Sequence, residues 1–154
     1  MIKTKSKPMK VIGIHEKISL PKYEINALPS KTDTGAYNCS IDCCFTEEIN
    51  NSKGSKVLRF ILLNPKNPHY TGKVYRTKKY KSKTVRSSNG SETQRYQIKF
   101  KITLKDQTFK TTFNLSNRSK MRYPVLLGRK SLAKRFLVDV SMNRKTVKNQ
   151  AECP

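Results

Sequence analysis

The clearest structural signal in this chain is the stretch Tyr96-Gln97-Ile98-Lys99-Phe100-Lys101-Ile102-Thr103-Leu104. Apolar and polar side chains alternate along it, which is the pattern of a β-strand with one buried and one solvent-exposed face. After Lys105-Asp106-Gln107 the same alternation resumes with Phe109, Thr111, Phe113 and Leu115. Because the connection is short, the two segments are predicted to form an antiparallel hairpin.

Other short strands are predicted on both sides of this hairpin, at residues 11–14, 57–63, 73–75 and 84–86. Segments rich in Asn, Gly, Pro and Ser separate them, and these residue types favour turns. Residues 129–135 contain no helix breaker and are predicted to form a helix of about two turns, before the apolar residues 136–138 return to the strand pattern. Many short strands with frequent turns favour an all-β barrel with one short C-terminal helix.

Length and composition indicate a single domain. The 154 residues suit one modest core, and a hydrophobic share of 35% is sufficient to pack it. We predict a domain at residues 11–140, a basic N-terminal arm at 1–10 and a C-terminal tail at 141–154, because both ends have little apolar pattern. The first ten residues hold four lysines and no apolar stretch typical of a secretion signal. With no apparent membrane span, a cytoplasmic protein is expected.

The chain is strongly basic, with 33 Lys and Arg against 10 Asp and Glu and a formal net charge of +23. Such a charge predicts an acidic partner, since a positive surface attracts anions. Nucleic acid is one candidate, because Tyr70, Tyr75 and Tyr80 recur among basic residues and aromatic rings can stack on bases. One interpretation of the chain is therefore a noncatalytic basic barrel that binds nucleic acid or another polyanion.

The cysteines follow neither a disulfide framework nor a zinc-binding pattern. Three of them lie close together and one lies near the C-terminus, at Cys39, Cys43, Cys44 and Cys153. A zinc site needs paired ligands at matched spacing, and the two histidines, His15 and His69, are remote from this group. We therefore predict reduced, partly buried thiols with a structural role.

A chemical signal comes from Asp33-Thr34-Gly35, which follows Leu28-Pro29-Ser30-Lys31-Thr32. A second motif, Leu126-Leu127-Gly128-Arg129, lies far downstream in the chain. A tight turn can project a carboxylate into a cleft, and the glycine is expected to permit backbone angles that other residues avoid. Activation of water by paired aspartates needs a second carboxylate opposite the first. Asp33 is the one aspartate of four in this motif, and Asp139 follows an apolar run typical of a strand end. The second carboxylate is therefore expected from another copy, in a symmetric homodimer.

Together these motifs resemble the retropepsin-like aspartic peptidases. The narrower likeness is to a bacterial and archaeal family long labelled ATP-dependent zinc protease, some members of which are associated with RimK-type glutamate ligases. Five stretches carry the likeness in order, at residues 28–36, 85–90, 117–118, 126–129 and 136–139. The resemblance implies a small closed retropepsin-like barrel and an aspartic-type peptidase that acts as a homodimer.

The resemblance also implies roles for individual residues. Asp33 would be catalytic, Thr34 would brace the two active-site turns across the dimer, and Gly35 would shape the turn. Residues 86–90 would belong to a mobile segment over the substrate, which we expect to span residues 73–95. The role of Arg118 stays open between pairing with a carboxylate and binding substrate. The predicted substrate-binding residues are Arg86, Ser87, Ser88, Gly90, Arg95, Arg118 and Arg129.

The expected substrate is an acidic peptide, because residues 73–95 carry eight cations and one acidic residue. The resemblance implies glutamate tails of the kind that RimK-type ligases add. The chain has no G-x4-G-K-[ST] loop and no H-E-x2-H pair, so we predict neither ATP nor zinc as a cofactor. Residues 37–41 depart from the small and hydroxyl residues of relatives, and the wall beside the aspartate is expected to differ accordingly.

Overall fold

The computed structural model describes residues 8–142. The predicted tail at 141–154 lies almost wholly outside the described residues, and residues 1–7 of the predicted arm at 1–10 also lie outside them. The first strand begins at Lys10, the last residue assigned to that arm. No helix in the described part of the chain has the length and apolar character needed to cross a membrane.

The described residues form an almost entirely β structure, which confirms the predicted class. The strands are β1 (Lys10–Ile12), β2 (His15–Leu20), β3 (Ile25–Thr32), β4 (Cys39–Asn50), β5 (Lys56–Leu62), β6 (Tyr75–Thr77), β7 (Lys81–Arg86), β8 (Glu92–Leu104), β9 (Gln107–Ser116), β10 (Val125–Leu127) and β11 (Phe136–Val138). A 3-10 turn spans Pro21–Tyr23, and helix α1 spans Arg129–Leu132.

Six strands close into the predicted barrel. Their order is β10-β3-β2-β8-β9-β4, and β4 pairs back to β10. The long strand β4 continues beyond the barrel to pair with β5, while β7 pairs with β8 as an outer hairpin strand. Strands β1 and β11 form a separate parallel ribbon. The closed arrangement leaves few free strand edges, which suits a small all-β domain.

The β8–β9 hairpin confirms the prediction from alternation. Ile98, Phe100 and Ile102 are buried while Lys99 and Lys101 are exposed. Leu104 pairs with Gln107, so the turn is two residues long rather than three. Lys105 and Asp106 both have positive φ, 47° and 61°. This is the backbone of a type I′ turn, whose twist matches that of the flanking strands.

The three tyrosines considered for base stacking instead pack against the core. The ring of Tyr75 lies 4.6 Å from that of Tyr23, edge to face. Tyr80 meets Tyr96 at 6.0 Å, and its hydroxyl donates to the Glu48 carboxylate. Tyr70 is also partly buried against the core. All three rings are partly buried, which argues against base stacking on them, while nucleic-acid binding itself stays a prediction.

Two secondary-structure predictions are wrong. The predicted helix at 129–135 is a single turn that ends at Leu132, because Lys134 takes a left-handed φ of 65° and the chain reverses toward β11. Strands β2, β3 and β4 lie between residues 15 and 50, where the sequence pattern predicted none. Polar residues interrupt the apolar pattern of β4, and its pairing with β5, β9 and β10 fixes it as a strand.

Candidate active site

Asp33 lies directly after β3, at the point where that strand runs parallel to β10. Its backbone N–H donates to the carbonyl of Leu127 at 2.9 Å. The preceding Thr32 is buried, and its hydroxyl donates to the Gly13 carbonyl at 2.8 Å. The main chain at Asp33 is therefore fixed from two sides, while the residue itself stays partly exposed.

The turn after Asp33 is closed by its own backbone. The Ala36 N–H donates to the Asp33 carbonyl at 3.2 Å, and the Gly35 N–H donates to Asp33 Oδ1 at 3.0 Å. The expected reason for the glycine is wrong, because Gly35 is not among the residues with positive φ. A Cβ at Gly35 would lie 3.2 Å from Asp33 Oδ1. The glycine instead leaves room for the carboxylate to accept this hydrogen bond.

The downstream Gly-Arg pair holds this turn from outside. One guanidinium nitrogen, Arg129 Nη1, donates to the carbonyls of Thr34 and Gly35, both at 3.2 Å, and the Arg129 N–H donates to the Ala36 carbonyl at 2.8 Å. A Cβ at Gly128 would lie 2.6 Å from the Tyr37 carbonyl oxygen, so only glycine fits there. Arg129 thus positions the turn, and its predicted contact with substrate stays a prediction. Thr34 is exposed, and its role across a dimer also stays a prediction.

Strand β4 contains a buried carboxylate, Asp42, that the sequence did not indicate as part of the site. Asp42 is fully buried and accepts hydrogen bonds from Asn64 Nδ2 at 2.6 Å and the Arg118 N–H at 2.7 Å. The Arg118 side chain donates through Nε to the Tyr123 carbonyl at 3.0 Å. The one sequence signal was an aspartate within an apolar stretch, Ile41-Asp42-Cys43.

The positive charge of Arg118 interacts electrostatically with the carboxylates of Asp42 and Asp33. Burial lowers the pKa of Arg118 from its ordinary value, and the two carboxylates oppose that effect. An arginine remains protonated under such opposing influences. In the described residues the Arg118 side chain donates to a carbonyl and forms no ion pair, so both roles left open for it, pairing with a carboxylate and binding substrate, stay predictions.

One chain contributes a single aspartate to this site. Each of the other three aspartates has partners of its own: Asp42 in the interior, Asp106 in an ion pair with Lys10 at 3.1 Å, and Asp139 as acceptor from Ser141. Asp139 follows β11, as the strand-end interpretation predicted. Its hydrogen bonds from the Ser141 hydroxyl and backbone lower its pKa.

A cleft of about 280 Å³ opens between the chain that follows the Asp33 turn and the β7–β8 hairpin. Residues 36–38 form one wall, and the other is formed by the hairpin and β9. Lys83 and Arg95 are directly opposite each other in the hairpin, which puts both side chains on the face that lines the cleft. The lining contains these two cations and no acidic residue.

The structure brings only one of the predicted hairpin residues to this cleft, Arg95. Arg86 lies on the opposite face of the hairpin and forms an ion pair with Glu92 at 2.9 Å. The turn beyond it contains the remaining three, Ser87, Ser88 and Gly90, all exposed. Lys83, Tyr37 and Asn38 line the cleft without having been predicted to bind substrate. The sequence signal for Lys83 was the positive charge of residues 73–95. The signal for Tyr37 and Asn38 was the departure of residues 37–41 from the residues of relatives.

The thiols are placed as predicted. Cys39 and Cys43 are buried, Cys44 is exposed, and all three are free, while Cys153 lies outside the described residues. Burial raises the pKa of Cys43 to about 12. In residues 8–142, no three His, Cys, Asp or Glu side chains gather in an arrangement that could hold a metal ion.

The chain is similar to curated sequences and to a solved structure. The chain is 28% identical over 131 residues to a protein of Shewanella pealeana and 24% identical over 133 residues to one of Desulfotalea psychrophila, both named "Probable alpha-L-glutamate ligase". These alignments cover 85% and 86% of this chain, which spans about 28% of the length of each relative. A crystal structure of a Legionella pneumophila protein of unknown function matches with a TM-score of 0.67 and 28% identity, over 86% of this chain and 95% of that one.

The sequence profile of one family covers nearly the whole domain. It matches residues 11–149 and is described as the retropepsin-like aspartic endopeptidase RimB. The matched region contains the Asp33 turn and the Gly128-Arg129 pair that holds it. The chain therefore belongs to the RimB-like family of retropepsin-like aspartic endopeptidases.

Proposed function

We propose that this protein is an endopeptidase that hydrolyses peptide bonds in an acidic polypeptide, with Asp33 contributed by each subunit of a homodimer. The observation that carries the proposal is the Asp33 turn itself. Backbone bonds to Leu127 and the guanidinium of Arg129 hold it rigidly, yet the chain supplies only one carboxylate there. A rigid turn with half of a catalytic pair is what a symmetric dimer would complete.

The chemistry follows from two carboxylates held face to face. Two like charges so close cannot both ionise cheaply, so the pair holds one proton, as in aspartic proteases generally. The ionised Asp33 takes a proton from water, whose oxygen attacks the peptide carbonyl carbon while the protonated Asp33 donates to the carbonyl oxygen. Collapse of the tetrahedral intermediate breaks the C–N bond, and a proton passes to the leaving amine.

We place the second subunit against the β1–β11 ribbon. Val11 and Leu137 are directly paired across it and are 44% and 56% exposed. Met9 and Val140 extend the same region with further exposed apolar surface. The ribbon leads through Gly13 to Thr32, the residue before Asp33. Burial of this patch by a second copy would therefore take place beside the catalytic turn, with the hydrophobic effect as its driving force.

The cleft supports an acidic substrate. Lys83 and Arg95 project into it beside residues 36–38, and no carboxylate in its lining neutralises them. An anionic side chain bound there would lie next to the catalytic turn. The curated relatives are named as glutamate ligases, which supports a glutamate-rich tail as the polypeptide that is cut. The alternative, a noncatalytic basic barrel that binds nucleic acid, is supported only by net charge.

The first test replaces Asp33 by Asn, which keeps the size of the side chain and removes its acid. Wild-type protein and the variant are incubated with an oligoglutamate peptide and with an oligolysine control, and products are identified by mass spectrometry. We expect the wild type to cleave only the acidic peptide and the variant to be inactive with an unchanged melting temperature. Equal cleavage by both proteins would refute catalysis by Asp33.

A mixing experiment tests the shared site. Increasing D33N protein is added to a fixed amount of wild type, and the initial cleavage rate is recorded. If each site needs two copies of Asp33, mixed dimers are inactive and the rate falls as the variant is added. The control protein is D33N with Leu137→Glu, whose charge should prevent dimerisation through the ribbon and which should therefore leave the rate unchanged. Inhibition by both variants alike would instead indicate competition for substrate.

A further inference from the structure

A row of cations extends from the cleft along the outer face of the β8–β9 hairpin. Alternation in β8 puts Arg95, Lys99 and Lys101 on one face, and all three are exposed. On the neighbouring strands, Lys83 lies directly opposite Arg95 and Lys110 directly opposite Lys101. We call these five residues the cation row.

The charges of the cation row are not balanced within the described part of the chain. The ion pairs there involve other cations: Lys10, Arg59, Lys73, Arg86 and Lys105. Two of the row's cross-strand pairs join like charges, Lys83 with Arg95 and Lys101 with Lys110. Like charges directly opposite each other destabilise a sheet. A bound polyanion would remove that repulsion.

The spacing of the row fits an extended peptide. Alternate residues on a strand lie roughly 6.8 Å apart, so Arg95 to Lys101 covers about 20 Å. An extended acidic peptide presents alternate carboxylates at that same spacing on one side. Such a peptide can therefore place one carboxylate against Arg95, the next beside the neutral Gln97, and the following two against Lys99 and Lys101. Lys83 and Lys110 lie beside the two ends of this stretch.

We propose that the cation row is a docking surface for an extended, glutamate-rich peptide, which it holds next to the cleft. The binding itself requires only the row, whereas its use in delivering a substrate tail depends on the proposed peptidase function. Because the row continues into the cleft through Lys83 and Arg95, a tail bound along β8 has one end beside residues 36–38. Long tails should therefore be better substrates than short ones.

Single-stranded nucleic acid fits this face less well. Proteins that bind it combine positive charge with aromatic side chains on which bases stack. The other side chains on this face of β8 and β9 are Gln97, Thr103, Thr108, Thr112 and Asn114, and none is aromatic. An exposed ring, Tyr37, lies in the cleft lining at one end of the row. The nearby Tyr96 points to the opposite face and packs against Tyr80.

The binding test uses the D33N protein, so that no peptide is consumed. Fluorescence anisotropy measures the affinity of a labelled decaglutamate in D33N and in D33N with Lys99, Lys101 and Lys110 changed to Gln. The matched control changes three exposed lysines outside the row, Lys53, Lys56 and Lys66, to Gln. Both triple variants lose the same charge. We expect the row variant to bind roughly tenfold more weakly and the control variant to change little.

Equal weakening in both triple variants would overturn the proposal, because net charge alone would then explain binding. So would a labelled oligonucleotide of equal charge that binds more tightly than the peptide and depends more strongly on the row. Thermal melting checks that each variant is folded. If the Gln variant does not fold, the test is repeated with Lys99, Lys101 and Lys110 changed to Arg, a variant that should retain binding. Retained folding with lost binding in the Arg variant would also overturn it.

A kinetic test separates docking from catalysis. With Asp33 intact, kcat/KM should rise as the tail lengthens from about four to about ten glutamates, and the row variant should lose this dependence while its kcat on the shortest peptide is unchanged. If no peptide is cleaved but row-dependent binding is seen, the docking surface stands and the peptidase proposal fails. If cleavage occurs with the same length dependence in the row variant, the docking proposal fails alone.

Discussion

Gly128→Ala is the substitution whose effect can be worked out most fully from the structure. The added Cβ would lie 2.5 Å from the Asn38 carbonyl carbon and 2.6 Å from the Tyr37 carbonyl oxygen. Since non-bonded carbon atoms approach to about 3.5 Å, the main chain on one side must move by about 1 Å. These neighbours are backbone, so no side-chain rotation relieves the contact.

The displacement would reach the Asp33 turn, because residues 36–38 follow it directly. Hydrogen bonds from the N–H groups of Arg129 and Lys130 tie Ala36 and Tyr37 to the start of α1, at 2.8 and 3.0 Å. Overpacking of a rigid site costs about 1–3 kcal/mol. For a chain of this size that lowers the melting temperature by roughly 3–10 °C. A shift of about 1 Å in a catalytic group costs on the order of a hundredfold in rate.

Thermal melting and cleavage of an oligoglutamate peptide measure the two effects separately. The control is Gly54→Ala, in a turn remote from Asp33, where nothing lies within 4 Å of the new Cβ but φ is +79°. The control should lose about 1 kcal/mol through backbone strain and keep its kcat. If Gly128→Ala melts at the wild-type temperature and cleaves at the wild-type rate, the packing argument is refuted.

Three further predictions concern side chains. Arg129→Lys removes the guanidinium that donates to the carbonyls of Thr34 and Gly35, so we expect kcat to fall roughly tenfold with KM unchanged. A rise in KM alone would show that Arg129 binds substrate instead. Because burial raises the pKa of Cys43 to about 12 while Cys44 is exposed, iodoacetamide at pH 8 should modify Cys44 on the order of a thousandfold faster, as read by peptide mass spectrometry. Because the folded state keeps the Cys43 thiol protonated to a higher pH than the unfolded chain does, the free energy of unfolding should fall as the pH rises from about 9 toward 12. Equal modification of the two thiols in folded protein would contradict the assigned burial.

Several parts of the site could not be obtained from sequence because they depend on contacts between distant segments. Asp42 is separated from Arg118 by 76 positions, and nothing near either residue in the chain indicates that they meet. The role of Gly35 was misassigned because close approach and unusual backbone angles select for the same residue. The position of Arg86 depends on which face of β7 lines the cleft, and only the pairing with β8 determines that face.

The linear order of residues was sufficient for what is local. Alternation in β8 and β9 predicted the hairpin, and the Asp33-Thr34-Gly35 and Gly128-Arg129 motifs predicted the family, because periodicity and turn chemistry act between neighbours. Only the tertiary structure decided three other features. These are the closure of the barrel between β4 and β10, the hydrogen bonds from Arg129 to the Asp33 turn, and the position of Lys83 and Arg95 in one cleft. Each depends on register between strands far apart in the chain, and a shift of one residue would turn every side chain to the other face.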